Sequence, residues 1–303
     1  MSTPEPERGF SQAQVTHVRS RRRELWQRFW KSRRAVVGAA IILVAILVAV
    51  FAKYLAPYDY EAQNLMFARK PPLSVDPEGN MYLFGTDPLG RDVFSRAIFG
   101  SRVSLLVGVV AVALASAIGI PIGLVTGYFG GTIDTIIMRL ADVQLAIPGL
   151  ILAIALIAVI GGGLLPVIFI LGFTAWVGYA RIVRGQVLSA KSMPFVEAAR
   201  ASGGSNWRII TKHIMPNVWT PVIVIATSHV GGVIIAESSL TFLGVGVSRS
   251  IPTWGTMIAD GRAYLDTAPW IAAFPGLALT ITVLAVFFFG DGLRDILDPR
   301  LRL

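Results

Sequence analysis

Long uncharged apolar runs alternate with shorter polar connections along this chain. The uncharged runs cover residues 35–52, 103–129, 143–180, 219–236 and 269–290. About 20 apolar residues cross a bilayer as a helix, so the run 143–180 is too long for one crossing. The turn residues Gly161, Gly162 and Gly163 divide that run into two helices. The pattern therefore predicts an all-α, polytopic membrane protein with six transmembrane helices.

Composition agrees with the hydropathy pattern. Of the 303 residues, 54% are hydrophobic and 15% are charged, and the mean hydropathy is +0.65. In soluble domains about a quarter of all residues are charged. The net charge of +9 does not indicate nucleic acid, because the cations cluster beside apolar runs. The absence of cysteine excludes disulfides and thiolate metal sites. The histidines, His17, His213 and His229, lack the paired helical spacing of a zinc hydrolase.

The distribution of Lys and Arg predicts the orientation. Residues 1–34, the second-to-third and fourth-to-fifth connections and residues 291–303 carry 19 of the 27 cations, and the opposite face carries 8. By the positive-inside rule both termini and the fourth-to-fifth loop are cytoplasmic. The 34 residues before the first run favour a retained anchor over a cleaved signal peptide.

The cytoplasmic N-terminal tail, 1–34, contains a second apolar pattern. Its segment RSRRRELWQRFWKSRR, residues 19–34, has apolar side chains at helical spacing among cations, which predicts an interfacial helix that anchors the chain. The first transmembrane helix, 35–52, leads into an extracytoplasmic segment, 53–102. The other five helices form a core, 103–290, and a cytoplasmic tail, 291–303, follows it.

Two absences bear on the source of energy. No charged residue lies inside the six predicted spans, so the sequence shows no intramembrane proton relay or ion site. None of the five lysines follows a glycine, so the chain has no phosphate-binding loop of the Walker type. A polar loop on such a protein indicates that the energy comes from a bound partner.

The loop 181–212 is the candidate segment for binding this partner. Ser192 as a cap and Pro194 in the first turn predict a short helix from Phe195 to Ser202, ended by Gly203 and Gly204. A second helix is predicted to begin near Ser205 and to end at Pro216. The small residues Ala198, Ala199 and Ser202 share one face of the first helix with Phe195, and this face suits a groove in a partner. The alternative is that the helix packs on the underside of its own bundle.

The motif EAARASG followed by HIMPN resembles the EAA loop of ABC-importer membrane subunits, with Glu197, Ala198, Ala199, Gly203 and Pro216 at matching positions. Met215 stands where that family usually has leucine. Other stretches that resemble the family are LFGTDPLGRDVFSRAIFGSRVSLLVG, GYFGGTIDTIIMRLAD, ESSLTFLGVG, PTWGTMI and GDGLRDILDPRLR. From about residue 30 to its end, the chain is similar to the C-type permease subunit of dipeptide and oligopeptide ABC importers.

This resemblance implies a type I importer permease in the bacterial inner membrane that is not itself an enzyme and holds no cofactor. It implies as partners a related B-type permease, two ATP-binding subunits and an extracytoplasmic substrate-binding protein, in an alternating-access cycle. Phe195 to Ser202 would be the coupling helix that contacts an ATPase. Relatives carry dipeptides, longer peptides, nickel chelates, glutathione or opines, so the substrate stays open.

Other polar residues are candidates for structural or functional roles. Glu237 and His229 are candidates for the pathway or its gate, and the alternative for Glu237 is a carboxylate satisfied by Ser238, Ser239 or nearby backbone. Arg139 and Asp142 have the spacing of a helical ion pair. The charges of GTDPLGRDVFSR are expected to brace the outer mouth, and those of GDGLRDILDP to pair with one another or with the loop.

Two other classes of function fit the sequence less well than an importer. A secondary transporter or channel is disfavoured because the spans lack charges. An intramembrane serine protease using His229 is disfavoured because no nucleophile motif is recognisable.

Overall fold

The computed structural model describes residues 21–297. Its helices are α1 (Arg21–Lys31), α2 (Arg33–Val50), α3 (Ala52–Leu55), α4 (Val93–Phe129), α5 (Gly131–Leu145), α6 (Gly149–Ile160), α7 (Leu164–Lys191), α8 (Pro194–Ala201), α9 (Asn206–Arg208), α10 (Met215–Phe242), α11 (Trp254–Gly261) and α12 (Trp270–Leu297). Short 3-10 turns cover Leu65–Phe67 and Arg262–Tyr264, and Ser74–Val75 (β1) pairs antiparallel with Met81–Tyr82 (β2). The all-α prediction is confirmed.

Five helices are long and apolar enough to cross a membrane, and a bent pair raises the number to six. The five are α2, α4, α7, the continuous helix Asn206–Phe242 and α12. The pair is α5 and α6, which meet at an angle of 89°.

The sequence predicts the third span as one helix through residues 143–160, and the bent pair corrects this prediction. The chain breaks at Ala146–Pro148 because proline disfavours a helical conformation at the residue before it. The remaining helix α6 has 12 residues, which is roughly 18 Å at 1.5 Å per residue. It is therefore too short to cross about 30 Å of hydrocarbon alone.

Helix α4 begins ten residues before the predicted span, at Val93 rather than 103. Asp92 caps it, since a carboxylate oxygen accepts the N–H of Ser95 at 2.7 Å. The charges of Arg96 and Arg102 concealed this start, because they lie in the helix beyond the apolar run.

The helix preceding the fifth span was predicted to end at Pro216, and this was wrong. The helix begins near Ser205 as predicted, with Ser205 as its cap, but it runs through the π-helical segment Ile209–Ile214 into α10. In the π segment the N–H of Met215 donates to the carbonyl of Ile210, five residues back. This wider turn lets a proline, which has no N–H, follow without ending the helix.

Helix α4 packs closely against α7. Along α4, Gly119, Gly123 and Gly127 recur every four residues, and a Cβ atom at Gly123 would lie 2.6 Å from the carbonyl oxygen of Ala180. Helices approach this closely only where side chains are absent. The glycine row therefore fixes α4 against α7.

The two ends of α4 define the two ends of the bundle. At 37 residues, α4 is roughly 55 Å long at 1.5 Å per residue. The segment with the β1–β2 hairpin precedes the start of α4, and the Thr86–Asp92 bridge holds it there. At the other end of α4, Tyr128 contacts Lys191 and Asn206, which flank α8. We call these the hairpin end and the loop end.

The hairpin end is braced by buried charges, as predicted for GTDPLGRDVFSR. Asp87 Oδ2 lies 2.6 Å from Arg91 Nε and 3.6 Å from Arg96 Nε. Arg91 also reaches Asp260 on α11, at 3.4 Å. Burial raises the pKa of Asp260, against the opposing effect of the nearby arginines Arg96, Arg91 and Arg249. These pairs tie the segment before α4 to α11.

Candidate functional site

The helix α8 forms where the sequence predicted it, with a different cap. Met193 is extended, Pro194 takes the first helical position, and Ser192 lies outside the helix. Proline suits this position because its fixed φ matches the helix and the missing N–H would be unpaired there.

The end of α8 is set by Gly203 and Gly204. Gly203 has a φ of +77°, which favours glycine. The N–H of Gly204 donates to the carbonyl of Ala199 at 3.0 Å, and a Cβ atom at Gly204 would lie 2.7 Å from that oxygen. The chain therefore turns sharply away from the helix.

One face of α8 is anchored in the bundle by Val196, which is fully buried. It packs in a cluster that includes Val187 of α7 and Ile210 of the π segment. Ala199 lies partly buried against the same cluster. Ala199 was predicted to share the docking face, so the structure corrects its position: it turns towards the bundle, beside the anchor that the sequence reasoning missed.

The other predicted residues of α8 lie on its surface. Phe195 is 40% exposed, and Glu197, Ala198 and Ser202 are also exposed. Within residues 21–297 the carboxylate of Glu197 has neither a hydrogen bond nor an ion pair. The alternative of a loop helix that packs on its own bundle thus holds for one face of α8 and fails for the other.

Trp207 extends this surface and was missed by the sequence reasoning. It follows the Ser205 cap and is 74% exposed. Together with Met193, which is 43% exposed, it places large apolar side chains on both flanks of α8. A tryptophan within a polar stretch was the available signal, because exposed aromatic residues are enriched at protein interfaces.

Tyr128, at the end of α4, joins both sides of the loop. Its hydroxyl donates to Asn206 Oδ1 at 2.8 Å, and its carbonyl accepts from Lys191 Nζ at 2.5 Å. The guanidinium of Arg200 lies 6.0 Å from the centre of its ring. The loop is therefore held to a membrane helix by polar contacts as well as by Val196.

Two ion pairs connect α5 to α7 near the loop end. Both oxygens of Asp134 accept from Arg184 at 2.6 Å. Asp142 pairs with Arg181 at 2.5 Å, so the predicted pair between Arg139 and Asp142 is wrong. The partner on α7 was not predictable from spacing within one helix.

Glu237 lies inside α10, five residues before its end, and not beyond the fifth span as the sequence predicted. It is fully buried. Its carboxylate accepts from Thr241 at 3.0 Å, Thr253 at 3.1 Å and Ser238 at 3.3 Å. The structure therefore supports the alternative interpretation, in which the Glu237 carboxylate is satisfied by hydrogen bonds. Two threonines and Ser238 provide these bonds, and Ser239 does not.

His229 lies midway along α10 with its ring edge-on to that of Tyr179, 5.2 Å between ring centres. Its Nδ1 atom is buried and has no hydrogen-bond partner among the described residues. His229 also borders two cavities, one of them towards the loop end. Within residues 21–297, no three His, Asp or Glu side chains are grouped to hold a metal ion.

The predicted pairing of the charges after the last span is not seen. Within residues 21–297, Asp291, Arg294 and Asp295 make no ion pair. Asp298 lies outside the described residues.

Comparison with known proteins gives the family. Residues 119–303 match the family described as binding-protein-dependent transport system inner membrane component, and residues 20–72 match the N-terminal TM domain of oligopeptide transport permease C. The glutathione transport system permease protein GsiD of Pectobacterium atrosepticum is 40% identical over 94% of this chain and 93% of its own length. The protein of the same name from an Escherichia coli strain is 41% identical over 94% and 92%.

A solved structure supports the fold. The chain is similar to one from inward-facing MetNI methionine ABC transporter, with a TM-score of 0.55 and 20% identity over 66% of this chain and 96% of the other. The family match covers the helices α5 to α12 and the α8 loop between them. The chain belongs to the family of inner-membrane components of binding-protein-dependent transport systems and is a membrane permease subunit of an ABC importer.

Proposed function

We propose that this subunit forms half of the pathway by which an ATP-driven importer carries short peptides, glutathione among them. The substrate class rests on the names of the relatives, which are glutathione permeases, and on the N-terminal match to an oligopeptide permease. A related B-type permease supplies the other half. Two ATP-binding subunits and an extracytoplasmic substrate-binding protein complete the importer.

In this proposal the loop end faces the cytoplasm and α8 docks on an ATP-binding subunit. The observation that carries the docking is the division of α8 into two faces. Val196 is fully buried in the bundle, while Phe195, Ala198 and Ser202 are exposed. A helix fixed on one side and free on the other transmits displacement, because a partner that moves it must also move what it is packed against.

The direction of coupling follows from linkage. A ligand shifts a conformational equilibrium only by its differential affinity for the two states. If ATP binding closes the ATPases around α8, contacts that differ between open and closed ATPases drive the bundle between its inward-open and outward-open forms. Hydrolysis then restores the inward-open form. Glu197, which is exposed and unpaired among the described residues, is available for a contact with the ATP-binding subunit.

Cysteine crosslinking tests the docking directly. The chain contains no cysteine, so Ala198→Cys and Ala199→Cys each introduce one thiol. In the assembled importer we expect Ala198→Cys to crosslink to an ATP-binding subunit at least several times faster than Ala199→Cys, because Ala199 faces the bundle. Ser189→Cys, on the exposed last turn of α7, is the control for general reactivity.

Function is tested by ATP-driven uptake of glutathione in vesicles. Replacing Glu197 and Gly203 together with bulky residues should abolish ATPase association or coupling while membrane insertion is retained. Normal uptake in that double variant, or no crosslink from Ala198→Cys, would overturn the docking. Uptake in the absence of the ATP-binding subunits would instead favour a secondary transporter.

A further inference from the structure

A cavity of about 580 Å³ opens between α7, α10 and α12 near the loop end. Its polar lining consists of Gln186, Thr220, Ser228, His229, Asp291 and Arg294. Cavities of this size hold small ligands, and a few polar groups among apolar ones fix the orientation of the ligand. The cavity therefore has the size and mixed lining of a small-ligand site.

The two charges at its mouth have no partners in the described part of the chain. Asp291 and Arg294 are one helical turn apart on α12, both exposed, and neither makes an ion pair or a hydrogen bond there. Residues at this spacing often pair with each other. With no partner among residues 21–297, Asp291 and Arg294 present an acceptor for an ammonium group beside a planar donor for a carboxylate.

Of the uncharged polar groups in the cavity, the Ser228 hydroxyl donates to the carbonyl of Val224 at 3.4 Å, and two others have no partner in the described part of the chain. Within residues 21–297 the amide of Gln186 and the hydroxyl of Thr220 make no hydrogen bond. A peptide that leaves water loses hydrogen bonds at its N–H and C=O groups, and this loss must be compensated. An amide and a hydroxyl can each both donate and accept, so they suit peptide groups.

A second cavity, of about 430 Å³, lies between α6, α7 and α10, and His229 lines both it and the first cavity. Its lining includes Gly178, Gly232 and Ala236, which leave room between the helices. A Cβ atom at Gly178 would lie 3.8 Å from the imidazole of His229. The imidazole therefore lines both cavities, and its buried Nδ1 has no hydrogen-bond partner among the described residues.

We infer that the two cavities are this subunit's part of the substrate route, built for a short peptide with a free amino group and a free carboxylate. Arg294 receives the carboxylate, Asp291 receives the ammonium group, and His229, which lines both cavities, forms a hydrogen bond with a peptide group. The inference rests on the proposed function, since it names the residues through which an imported peptide leaves the membrane.

Binding to the complete importer in nanodiscs tests the chemistry of the site. The probes are tri-alanine, its N-acetyl derivative and its C-terminal amide, at millimolar concentration without nucleotide or binding protein, with Kd measured by saturation-transfer NMR. We expect tri-alanine to bind wild type best. Arg294→Gln should weaken tri-alanine about tenfold and remove its advantage over the amide, as loss of a charge-assisted hydrogen bond does.

Asp291→Asn should likewise weaken the binding of tri-alanine about tenfold and remove its advantage over the N-acetyl derivative. Asp295→Asn is the matched control, because Asp295 is exposed on the same turn of α12 but does not line the cavity. Equal affinity of wild type for all three probes, equal effects of the three substitutions, or no binding to wild type would overturn the inference.

Transport separates this inference from the proposed function. In vesicles with ATP and the binding protein, Arg294→Gln and His229→Leu should lower uptake of tri-alanine severalfold while ATP hydrolysis stays within twofold, and His229→Gln should retain more uptake than His229→Leu. If every variant took up tri-alanine at the wild-type rate, the proposed route would be overturned while the proposed importer function would stand. Absence of ATP-driven uptake by wild type would overturn the proposed function itself.

Discussion

The hydroxyl of Tyr128 donates a hydrogen bond to Asn206 Oδ1 over 2.8 Å, and so joins the last turn of α4 to the helix that follows α8. Seventy-eight residues separate the two in sequence. The same residue accepts a hydrogen bond from Lys191, on the other side of the loop. Tyr128 is thus the point at which a long membrane helix is connected to both ends of the α8 segment.

Tyr128→Phe should loosen this connection while the fold is kept. The lost hydrogen bond is worth about 1 kcal/mol, and the carbonyl that Lys191 contacts is unchanged. We expect a small fall in unfolding temperature and a lower ratio of peptide imported to ATP hydrolysed. Phe129→Leu, at the exposed neighbouring position, is the control. An unchanged transport ratio would show that the contact carries no coupling.

Gly123→Ala should destabilise the crossing of α4 and α7. The new methyl group would lie 2.6 Å from the carbonyl oxygen of Ala180 and 2.7 Å from Cβ of Val183. Backbone atoms cannot yield as a flexible side chain does, so the helices must separate, at a cost of about 1–3 kcal/mol. The measurement is thermal unfolding of the purified chain in detergent.

The matched control for that crossing is Gly185→Ala. Gly185 lies in α7, and a Cβ atom there meets nothing within 4 Å. Alanine should therefore leave the unfolding temperature unchanged or raise it slightly, because alanine favours helix over glycine. Equal destabilisation by the two substitutions would contradict close packing at Gly123.

Glu237→Ala should be strongly destabilising, and Glu237→Gln much less so. Alanine would leave a buried cavity and remove the acceptor for three hydroxyl donors, Ser238, Thr241 and Thr253. Together these losses cost about 3 kcal/mol or more. Glutamine retains one side-chain oxygen and the volume.

Loss of the Glu237 carboxylate should also be measurable in α11, at the hairpin end. Thr253 caps α11 by accepting the N–H of Thr256, so loss of Glu237 should increase hydrogen exchange in α11. Thermal unfolding together with exchange of residues 254–261 measures both effects. A stable Glu237→Ala variant that fails only in transport would instead support the gate role considered for this residue.

Acid should loosen the hairpin through Asp76. Hydrogen bonds from the Asn80 side chain, and from the backbone N–H groups of Asn80 and Glu78, lower the pKa of Asp76 below its usual 3.8. A depressed carboxyl pKa contributes stability that is complete above the unfolded-state value and is lost as pH falls through the folded-state value.

The measurement for Asp76 is hydrogen exchange of residues 74–82 in nanodiscs between pH 7 and pH 3. Exchange, corrected for its intrinsic pH dependence, should rise below about pH 4 in wild type. In Asp76→Asn it should be high at every pH and show no such step. A step of the same size in the variant would assign it to another group.

Local patterns in the sequence predicted the elements that depend on local chemistry. The short helix α8 follows from Pro194 and the glycine pair after Ala201, because backbone conformation at those residues is set by their own side chains. The apolar runs predicted six transmembrane helices, since length and hydropathy decide insertion; five are single helices and the sixth is a bent pair. The family resemblance was likewise carried by contiguous motifs.

The places where the prediction failed involve partners remote in sequence. Arg96 lies in a helix beyond the apolar run because Asp87 neutralises it at the hairpin end. Asp142 pairs with Arg181 and not with Arg139, because α7 packs beside α5. Pro216 continues a helix because a π segment precedes it, and no local rule signals that widening.

The sequence by itself determined the class of protein, most of its membrane helices and the small helix on its loop, since hydrophobic length, proline and glycine act within a few residues of chain. Only the tertiary structure decided which face of that helix is free and that Glu237 is buried among hydroxyl groups. It also brought Asp291 and Arg294 to one cavity with His229. Burial and pairing depend on what other helices place nearby, and that is a property of the packed bundle.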